Sequence, residues 1–423
     1  MATSDVSSTH LQKLSCLSTV KFKKLLPKFT PSDTYRPKGR SGHCMCADEA
    51  NLYVFGGYSP MDERNGVLSS RVLPELWKFN FASQKWSKIS SSNTPHTCAS
   101  ACIAVQHNQV FVFGGTGYPF GQSMSNTIKT LRLNQLHNLS AAGEDSGEEV
   151  KQNFRWQLLE TSAMSYSCGW EEEDVCPRPA YGQSLIFLKD SVYVFGGAIG
   201  YYSEAVSDLH KLNIHTMAWE KLRPTGKIPS GRYKQEVVKD DERLYVLGGG
   251  RLHHAEGLDK IYIYDTTHNH WTEALSLADP VHGYPSPRCS FGCAQDGKNV
   301  YISGGRHYNL TVDHKSLSDV WHLGLSTLQW TKLQMKLPKP LYFHSSEVSP
   351  AGHMYVFGGV HTDNFRAPYL YAVRLPLTLP KLSELCWDKV CKMARKCNIL
   401  TPSGLTELGV PWNFIDRVQL PPL

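Results

Sequence analysis

The chain has 423 residues, of which 41% are hydrophobic and 19% are charged, a balance typical of a globular protein rather than a disordered or coiled-coil one. Its formal net charge of +6 is too small over this length for the basic surface of a nucleic-acid-binding protein. No stretch of ~18 consecutive apolar residues occurs, so we expect no membrane partner.

The N-terminal region and the cysteines indicate where the protein resides. Residues 1–19 are expected to form a flexible tail, and the first thirty residues lack the apolar core and cleavage site of a secretory signal. We therefore expect an intracellular protein, in the cytoplasm or the nucleus. None of the twelve cysteines forms a Cys-x-x-Cys pair, which favours reduced thiols over zinc ligands or disulfides. No metal and no cofactor is predicted.

A short apolar run that ends in two glycines recurs six times. The first copy is LYVFGG, with Gly56 and Gly57, and the last is MYVFGG, with Gly358 and Gly359. Successive copies are 52 to 58 residues apart, except for one interval of 82 residues. Five of the double glycines are followed by a tryptophan: Trp86, Trp156, Trp219, Trp271 and Trp330. This combination resembles the kelch repeat, whose period is about 50 residues.

Each copy contains four short β segments separated by turn residues. A meander of four strands has too small a core to be stable alone, so the copies are expected to pack face to face around an axis. The sequence therefore predicts an all-β fold, a six-bladed kelch β-propeller over residues 20–375, followed by a small helical segment over residues 376–423.

The sixth copy lacks its tryptophan strand, because the chain continues after Leu375 as PLTLPKLSEL. Near the N-terminus, FKKLLP at Phe22–Pro27 resembles WEKLRP at Trp219–Pro224. An open sheet edge is a liability, so we predict that residues 20–27 supply the missing outer strand and close the ring. The alternative is a basic tail that only resembles a strand.

Two stretches fall outside the repeat. Residues 134–154 are polar, acidic and rich in Gly and Ser, which predicts a solvated loop between the third and fourth strands of blade 2. Residues 161–179 connect blade 2 to blade 3 and carry Trp170 followed by four acidic residues. The sequence does not indicate what either stretch does.

The C-terminal segment has helical periodicity. Its apolar residues share one helix face: Leu382, Leu385, Cys386, Val390 and Met393. Thr401 before Pro402 marks the start of a second short helix. The apolar face must cover either the propeller itself or a partner.

Leu382, Cys386 and Val390 are spaced as in the elongin C-binding box, which this segment resembles, and Leu385 lies on the same face. Leu400–Leu408 is loosely similar to the cullin-selecting box, and its departures leave the cullin type open. A kelch propeller followed by these boxes resembles the substrate receptors of cullin-RING ubiquitin ligases. This resemblance implies a substrate-recognition subunit of a cullin-2 ligase that binds elongin B/C. The alternative is a kelch scaffold for signalling or cytoskeletal partners.

The loops that follow each second strand and those that enter each first strand lie at the same end of an antiparallel blade. We call this end the mouth, and it gathers the following residues: Arg40, His43, Tyr58, Tyr118, Phe120, Arg178, Tyr181, Tyr201, Arg232, Tyr233, Arg251, His253, Arg288, Arg306, His307, Tyr342, His344 and His361. No nucleophile elbow, phosphate loop or metal-ligand pattern is present, so we predict a binding module and no catalytic residue.

The ligase resemblance implies that the mouth binds the C-termini of target proteins, often ending in Gly. A carboxylate is best held by an arginine fork, and we predict Arg232 and Arg288 for this role. The other predicted contacts are Arg178, Tyr181, Tyr233, Tyr342, His344, Tyr118 and Tyr201. The alternative is that these arginines bridge blades. Four acidic residues that precede third strands are interpreted as structural features of the repeat rather than as catalytic pairs: Glu75, Asp208, Asp259 and Asp319.

Overall fold

The computed structural model describes residues 21–25, 36–60, 72–133, 154–164, 175–201, 203–251, 254–308, 315–361 and 364–418. These residues form the predicted six-bladed β-propeller, followed by short helices near the C-terminus. The predicted N-terminal tail, nearly all of the 134–154 stretch and Trp170 lie outside the described residues.

Every blade has four antiparallel strands, ordered from the inner strand beside the channel to the outer strand at the edge. Blade 1 consists of Cys44–Ala47, Asn51–Phe55, Leu76–Asn80 and Lys85–Ile89. Blade 2 consists of Cys102–Gln106, Gln109–Phe113, Ile128–Arg132 and Gln157–Leu159. Blade 3 consists of Ser184–Leu188, Ser191–Phe195, Leu209–Asn213 and Ala218–Lys221.

The remaining blades have the same order. Blade 4 consists of Glu236–Lys239, Arg243–Leu247, Lys260–Asp265 and His270–Leu275. Blade 5 consists of Gly292–Asp296, Asn299–Ser303, Asp319–Gly324 and Gln329–Lys336. Blade 6 consists of Tyr342–Val348, His353–Val360, Leu370–Arg374 and Lys23–Leu25.

Short strands connect neighbouring blades and decorate the loops. The parallel pairs are Ser91–Ser92 with Phe154–Arg155, Ser162–Ala163 with the outer strand of blade 3, and Thr225–Gly226 with that of blade 4. The small hairpins are Ala198–Ile199 with Glu204–Ala205, Gly250–Arg251 with His254–Ala255, and Arg306–His307 with Lys315–Ser316.

The N-terminal strand closes the ring. Lys23–Leu25 pairs antiparallel with Leu370–Arg374, so blade 6 contains segments from both ends of the described chain. Phe22 packs into the apolar core between blades 5 and 6. Trp330 occupies the corresponding place between blades 4 and 5, so Phe22 substitutes for the missing tryptophan, as the likeness of FKKLLP to WEKLRP predicts.

The double glycines make room for one side chain between neighbouring blades. At Gly197, where φ is +104°, a Cβ atom would lie 2.3 Å from Cγ of Gln183 in the same blade. At Gly358, where φ is +68°, a Cβ atom would lie 2.4 Å from Cε1 of His43 in blade 1. Gln183 and His43 each directly precede an inner strand, and their side chains fill the space that the glycines leave. The glycines are therefore needed for blade packing.

The C-terminal segment forms helices α1 (Leu382–Cys397), α2 (Pro402–Glu407) and α3 (Trp412–Ile415). Thr401 caps α2 by accepting a hydrogen bond from the Gly404 N–H at 3.1 Å, as expected of a threonine before a helix. No helix of the described residues is long and apolar enough to cross a membrane.

Helix α1 docks on the end of the propeller opposite the mouth. Trp387, Cys391 and Ala394 form an apolar core with Ala82, in the turn between the third and fourth strands of blade 1. Arg417 adds an ion pair with Glu49, in the turn between the first two strands of that blade, at 2.6 Å. The helical segment is therefore part of the folded body.

Candidate functional site

The mouth has a floor made of backbone hydrogen bonds. One residue from each blade donates its N–H to the carbonyl of its counterpart in the preceding blade, at 2.7 to 3.2 Å. Gly42 of blade 1 donates to Phe343 of blade 6, so the six bonds close into a ring. The members of this mouth ring are Gly42, Ser100, Gly182, Lys234, Ser290 and Phe343. All six have a positive φ, which turns the chain sharply as it enters each inner strand.

Two members of the mouth ring have long side chains. The Lys234 ammonium lies 5.6 Å from the centroid of the Phe343 ring, so both side chains extend across the opening. Below them lies a channel of about 270 Å³ that is lined by the inner strands. Glu347 faces this channel, and burial raises the pKa of its carboxyl to about 7.

The arginines that precede the inner strands are structural. Arg232 and Arg288 are 2% and 0% exposed. In each, Nη1 donates to the carbonyl of the first glycine of the same blade, Gly248 at 3.1 Å and Gly304 at 2.9 Å. Their guanidinium groups are thus committed to their own blades. Arg232 and Arg288 were predicted to hold a ligand carboxylate or, alternatively, to bridge blades. Their side chains are almost fully buried, and the contacts described here lie within their own blades.

The acids before the third strands complete this arrangement. Arg40 pairs with Glu75 at 2.5 Å and Arg288 with Asp319 at 2.9 Å. Arg178 pairs with Asp208 at 3.2 Å, but its side chain is half exposed at the rim. In blade 4 the partner of Arg232 is Glu256, at 3.8 Å. In blades 1, 3, 4 and 5 an ion pair therefore ties the two mouth loops of the blade together.

Two other predicted wall residues are also buried. His344 is 4% exposed, and its Nε2 accepts a hydrogen bond from the Gly292 N–H at 3.1 Å. Burial lowers the pKa of this imidazole to about 3, so it is neutral between blades 5 and 6. Tyr181 is 7% exposed, and its hydroxyl lies 2.5 Å from Oγ of Ser203. Both side chains are therefore held by contacts within the propeller, and His344 also lines the channel below the mouth.

An aromatic cluster faces solvent at the mouth. The ring of Tyr58 stacks on Tyr118, with centroids 5.7 Å apart, and Phe120 packs edge-on at 5.1 Å. The Arg366 guanidinium lies over Tyr58 at 5.4 Å, which joins blade 6 to this cluster. Tyr201 in blade 3 is 62% exposed. Tyr118 and Tyr201 are therefore both exposed, in the loops that follow the second strands of blades 2 and 3.

A second group surrounds Arg306 in blade 5. Its guanidinium carbon lies 5.0 Å from the centroid of Tyr342 and 5.2 Å from that of Tyr308. Tyr233, which is half buried, packs edge-on against Tyr181 at 6.2 Å. The mouth therefore combines cations with aromatic rings, a composition typical of protein-binding surfaces.

Helix α1 presents most of its predicted apolar face to solvent. Leu382, Leu385 and Met393 are 76%, 36% and 63% exposed, and Cys386 is exposed as well. Val390 differs, because it packs partly against the core around Trp387. The helix thus has one apolar side on the propeller and a second that no described residue covers.

The comparisons with known proteins identify the repeat. The model of the KLHDC2/KLHL20/DRC7 Kelch-repeats domain matches residues 4–169 and 182–389. The chain belongs to this kelch-repeat family. It is 36% identical over 393 residues to Kelch domain-containing protein 10 of Rattus norvegicus, covering 90% of this chain and 86% of the relative.

Other kelch relatives are similar over most of the chain. Kelch domain-containing protein 10 of Homo sapiens is 35% identical, covering 90% of this chain and 80% of the relative. Kelch domain-containing protein 2 of Bos taurus is 25% identical, covering 77% and 64%. The kelch propeller and these relatives indicate a non-enzymatic, protein-binding domain. Within the described ranges, no group of three or more His, Cys, Asp or Glu side chains could hold a metal ion.

Sequence reasoning missed three kelch mouth residues, Lys234, Phe343 and Arg366. Lys234 and Phe343 occupy the ring position that Gly42 and Gly182 occupy in other blades. An alignment of the six repeats on this glycine would have placed both at the mouth. Arg366 is in the irregular loop after the second strand of blade 6, where no repeat signal exists.

Proposed function

We propose that this kelch protein is the substrate-recognition subunit of a cullin-2 RING ubiquitin ligase. The mouth binds the C-terminus of a target protein, and the helical segment binds elongin B/C and the cullin. Ubiquitin transfer is carried out by other subunits. The observation that carries the proposal is the uncovered apolar side of α1, opposite the side that docks on blade 1.

The chemistry of this side favours a helix-binding partner. Leu382 and Cys386 are one helical turn apart, and Met393 is two turns further along the same side. Soluble proteins rarely leave such a stripe exposed unless it binds another protein. Insertion of the Leu382 side chain into a partner pocket would contribute about 2 kcal/mol.

The position of the stripe also suits an adaptor. Helix α1 contacts the turns of blade 1 that lie opposite the mouth, through Ala82 and Glu49. A target held at the mouth therefore leaves α1 accessible. The core around Trp387 and the ion pair of Arg417 with Glu49, at 2.6 Å, hold the helical segment on blade 1.

The proposal is tested by mixing the purified full-length chain with the purified elongin B/C complex and measuring co-elution by size-exclusion chromatography. We expect a stable ternary complex, to which cullin-2 then adds. Absence of a complex with elongin would contradict the ligase role and leave the scaffold function as the better account.

A further inference from the structure

A cleft of about 330 Å³ lies between helix α1 and the propeller, at the end opposite the mouth. Three aromatic side chains wall it: Trp387 of α1, Phe81 in a turn of blade 1, and Tyr355 of blade 6. The rings of Phe81 and Tyr355 pack with their centroids 5.1 Å apart. A concave space of this size with aromatic walls is typical of a site that binds a small organic molecule.

The N-terminal strand contributes two lysines to this cleft. Because side chains alternate between the two faces of a strand, Lys21 and Lys23 line the cleft, whereas Phe22 packs between blades 5 and 6. In the neighbouring strands of blade 6, Arg374 pairs with His353, and both residues line the same cleft. Three basic side chains and an imidazole therefore border the cleft on the side of blade 6.

The acidic residues of the cleft have cationic partners. Glu384 and Glu49 each pair with Arg417, at 2.9 and 2.6 Å. Asp388 pairs with Lys392 at 2.6 Å. These three carboxylates are the acids among the described residues of the cleft, and each is already engaged by a cation of the helical segment.

The basic side chains of blade 6, in contrast, are not balanced. Within the described part of the chain, Lys21, Lys23 and Arg374 form no ion pair. Arg374 donates from Nη1 to the Ala351 carbonyl, and its remaining N–H groups have no acceptor among the described residues. Burial and the neighbouring cations lower the pKa of His353 to about 4 in spite of a nearby carboxylate, so this imidazole is neutral at pH 7. The cleft is therefore electropositive on this side, which favours a negatively charged ligand.

We propose that the cleft binds a small aromatic anion, a flat ring system that carries one phosphate or carboxylate group. The ring packs against Phe81, Tyr355 and Trp387, and the charged group lies beside Lys23 and Arg374. The planar guanidinium can donate two parallel N–H groups to either kind of anion. This inference goes beyond the proposed function, because neither the mouth nor the uncovered side of α1 takes part.

The test uses 1-anilinonaphthalene-8-sulfonate, an aromatic anion whose fluorescence rises in apolar surroundings, and its uncharged counterpart N-phenyl-1-naphthylamine. Both dyes are titrated against the full-length chain and against Lys23→Gln combined with Arg374→Gln. A second variant, Lys21→Gln with Lys23→Gln, changes only exposed side chains. The matched control is Lys189→Gln with Arg243→Gln, which removes two exposed charges outside the cleft.

We expect the wild type and the control to bind the anionic dye equally. Lys23→Gln with Arg374→Gln should weaken its binding at least about tenfold, and the double-lysine variant should weaken it in the same direction. Binding of the uncharged dye should not change, because it lacks the group that the cations hold. 1-Naphthyl phosphate and 1-naphthoate are then added as competitors, and the one that displaces the anionic dye at the lower concentration identifies the charged group.

Three results would overturn the inference. Equal binding of the anionic dye by the wild type and both cleft variants would place the dye elsewhere on the chain. An equal loss of binding for the uncharged dye would show that charge does not select the ligand. Displacement by neither competitor would restrict binding to the dye itself. None of these measurements involves elongin, so each result leaves the proposed function standing.

Discussion

Arg288 and Asp319 form a two-pronged ion pair, with Nη1 2.9 Å from Oδ1 and Nη2 3.0 Å from Oδ2. Arg288 is fully buried, and its Nε donates to the Ser286 carbonyl at 3.0 Å. An arginine at the opening of a kelch strand thus stabilises the loops of its blade. Its contribution is to folding rather than to ligand binding.

Replacement of Arg288 should therefore destabilise the propeller. Arg288→Gln leaves Asp319 without its partner, and the loss of one member of a buried pair costs about 3 kcal/mol. We expect this decrease in the free energy of unfolding, measured in urea. Arg178→Gln, at an exposed pair, should change it by less than about 1 kcal/mol. Equal effects of the two variants would contradict the structural role.

The pair of Arg40 and Glu75 predicts a pH dependence. Burial alone would raise the pKa of Glu75, but the charge of Arg40 and hydrogen bonds from Lys88, Arg40 and Trp77 lower it from 4.5 to about 2. Because the folded-state pKa is the lower one, the pair stabilises the protein fully above about pH 4.5 and loses this effect as the pH falls towards 2.

Glu75→Gln should accordingly reduce the free energy of unfolding by about 3 kcal/mol at pH 7. The difference in the free energy of unfolding between wild type and Glu75→Gln should become smaller as the pH is lowered from 4.5 to 2. Urea unfolding at a series of pH values measures this difference. A difference in unfolding free energy that stays constant between pH 4.5 and 2 would show that the charge of the Glu75 carboxylate does not contribute to stability.

Closure of blade 6 predicts the effect of truncation. Deletion of residues 1–30 removes the Lys23–Leu25 strand and Phe22, which exposes the edge of Leu370–Arg374 and part of an apolar core. We expect a loss of about 2 kcal/mol or more, since the deletion removes both the partly buried Phe22 side chain and the strand pairing of Lys23–Leu25. Deletion of residues 1–15 should leave stability unchanged. Thermal melts of equal midpoint for both truncations would refute the closure.

The uncovered side of α1 predicts a separable loss of elongin binding. Leu382→Ser combined with Cys386→Phe should abolish co-elution with elongin B/C while the melting temperature is retained, because both residues are exposed. The matched control is Leu275→Ser, which changes a leucine of blade 4 that is 72% exposed. Elongin binding that survives the double change would place the contact elsewhere.

The repeat made the fold predictable. The spacing of double glycines and tryptophans predicted six blades, and the likeness of FKKLLP to WEKLRP predicted the strand that pairs with Leu370–Arg374. Sequence periodicity also predicted α1, because its apolar residues recur with the helical period. These patterns are visible in the sequence because each one reflects a packing requirement of a strand or a helix that recurs along the chain.

The ligand-binding side chains were less predictable. Arg288 and Arg306 are both mouth arginines in the sequence, but their donors have different surroundings, and residue type alone does not reveal this. The positive φ of Lys234 and Phe343 is equally hidden, because neither residue favours that conformation. What distinguishes these residues is the position of an acceptor or a turn, which is set by contacts between distant parts of the chain.

In the mouth ring the backbone forms the structure of the kelch mouth, and the side chains determine its chemistry. Its six hydrogen bonds use backbone atoms only, so a change of any of its side chains, other than to proline, keeps every bond. Lys234 and Phe343 each adopt a conformation that costs roughly 1 kcal/mol for a residue with a Cβ atom, and glycine at either position would relieve it. Such an exchange would open the channel below, so two side chains, and not the fold, set how deep the pocket is.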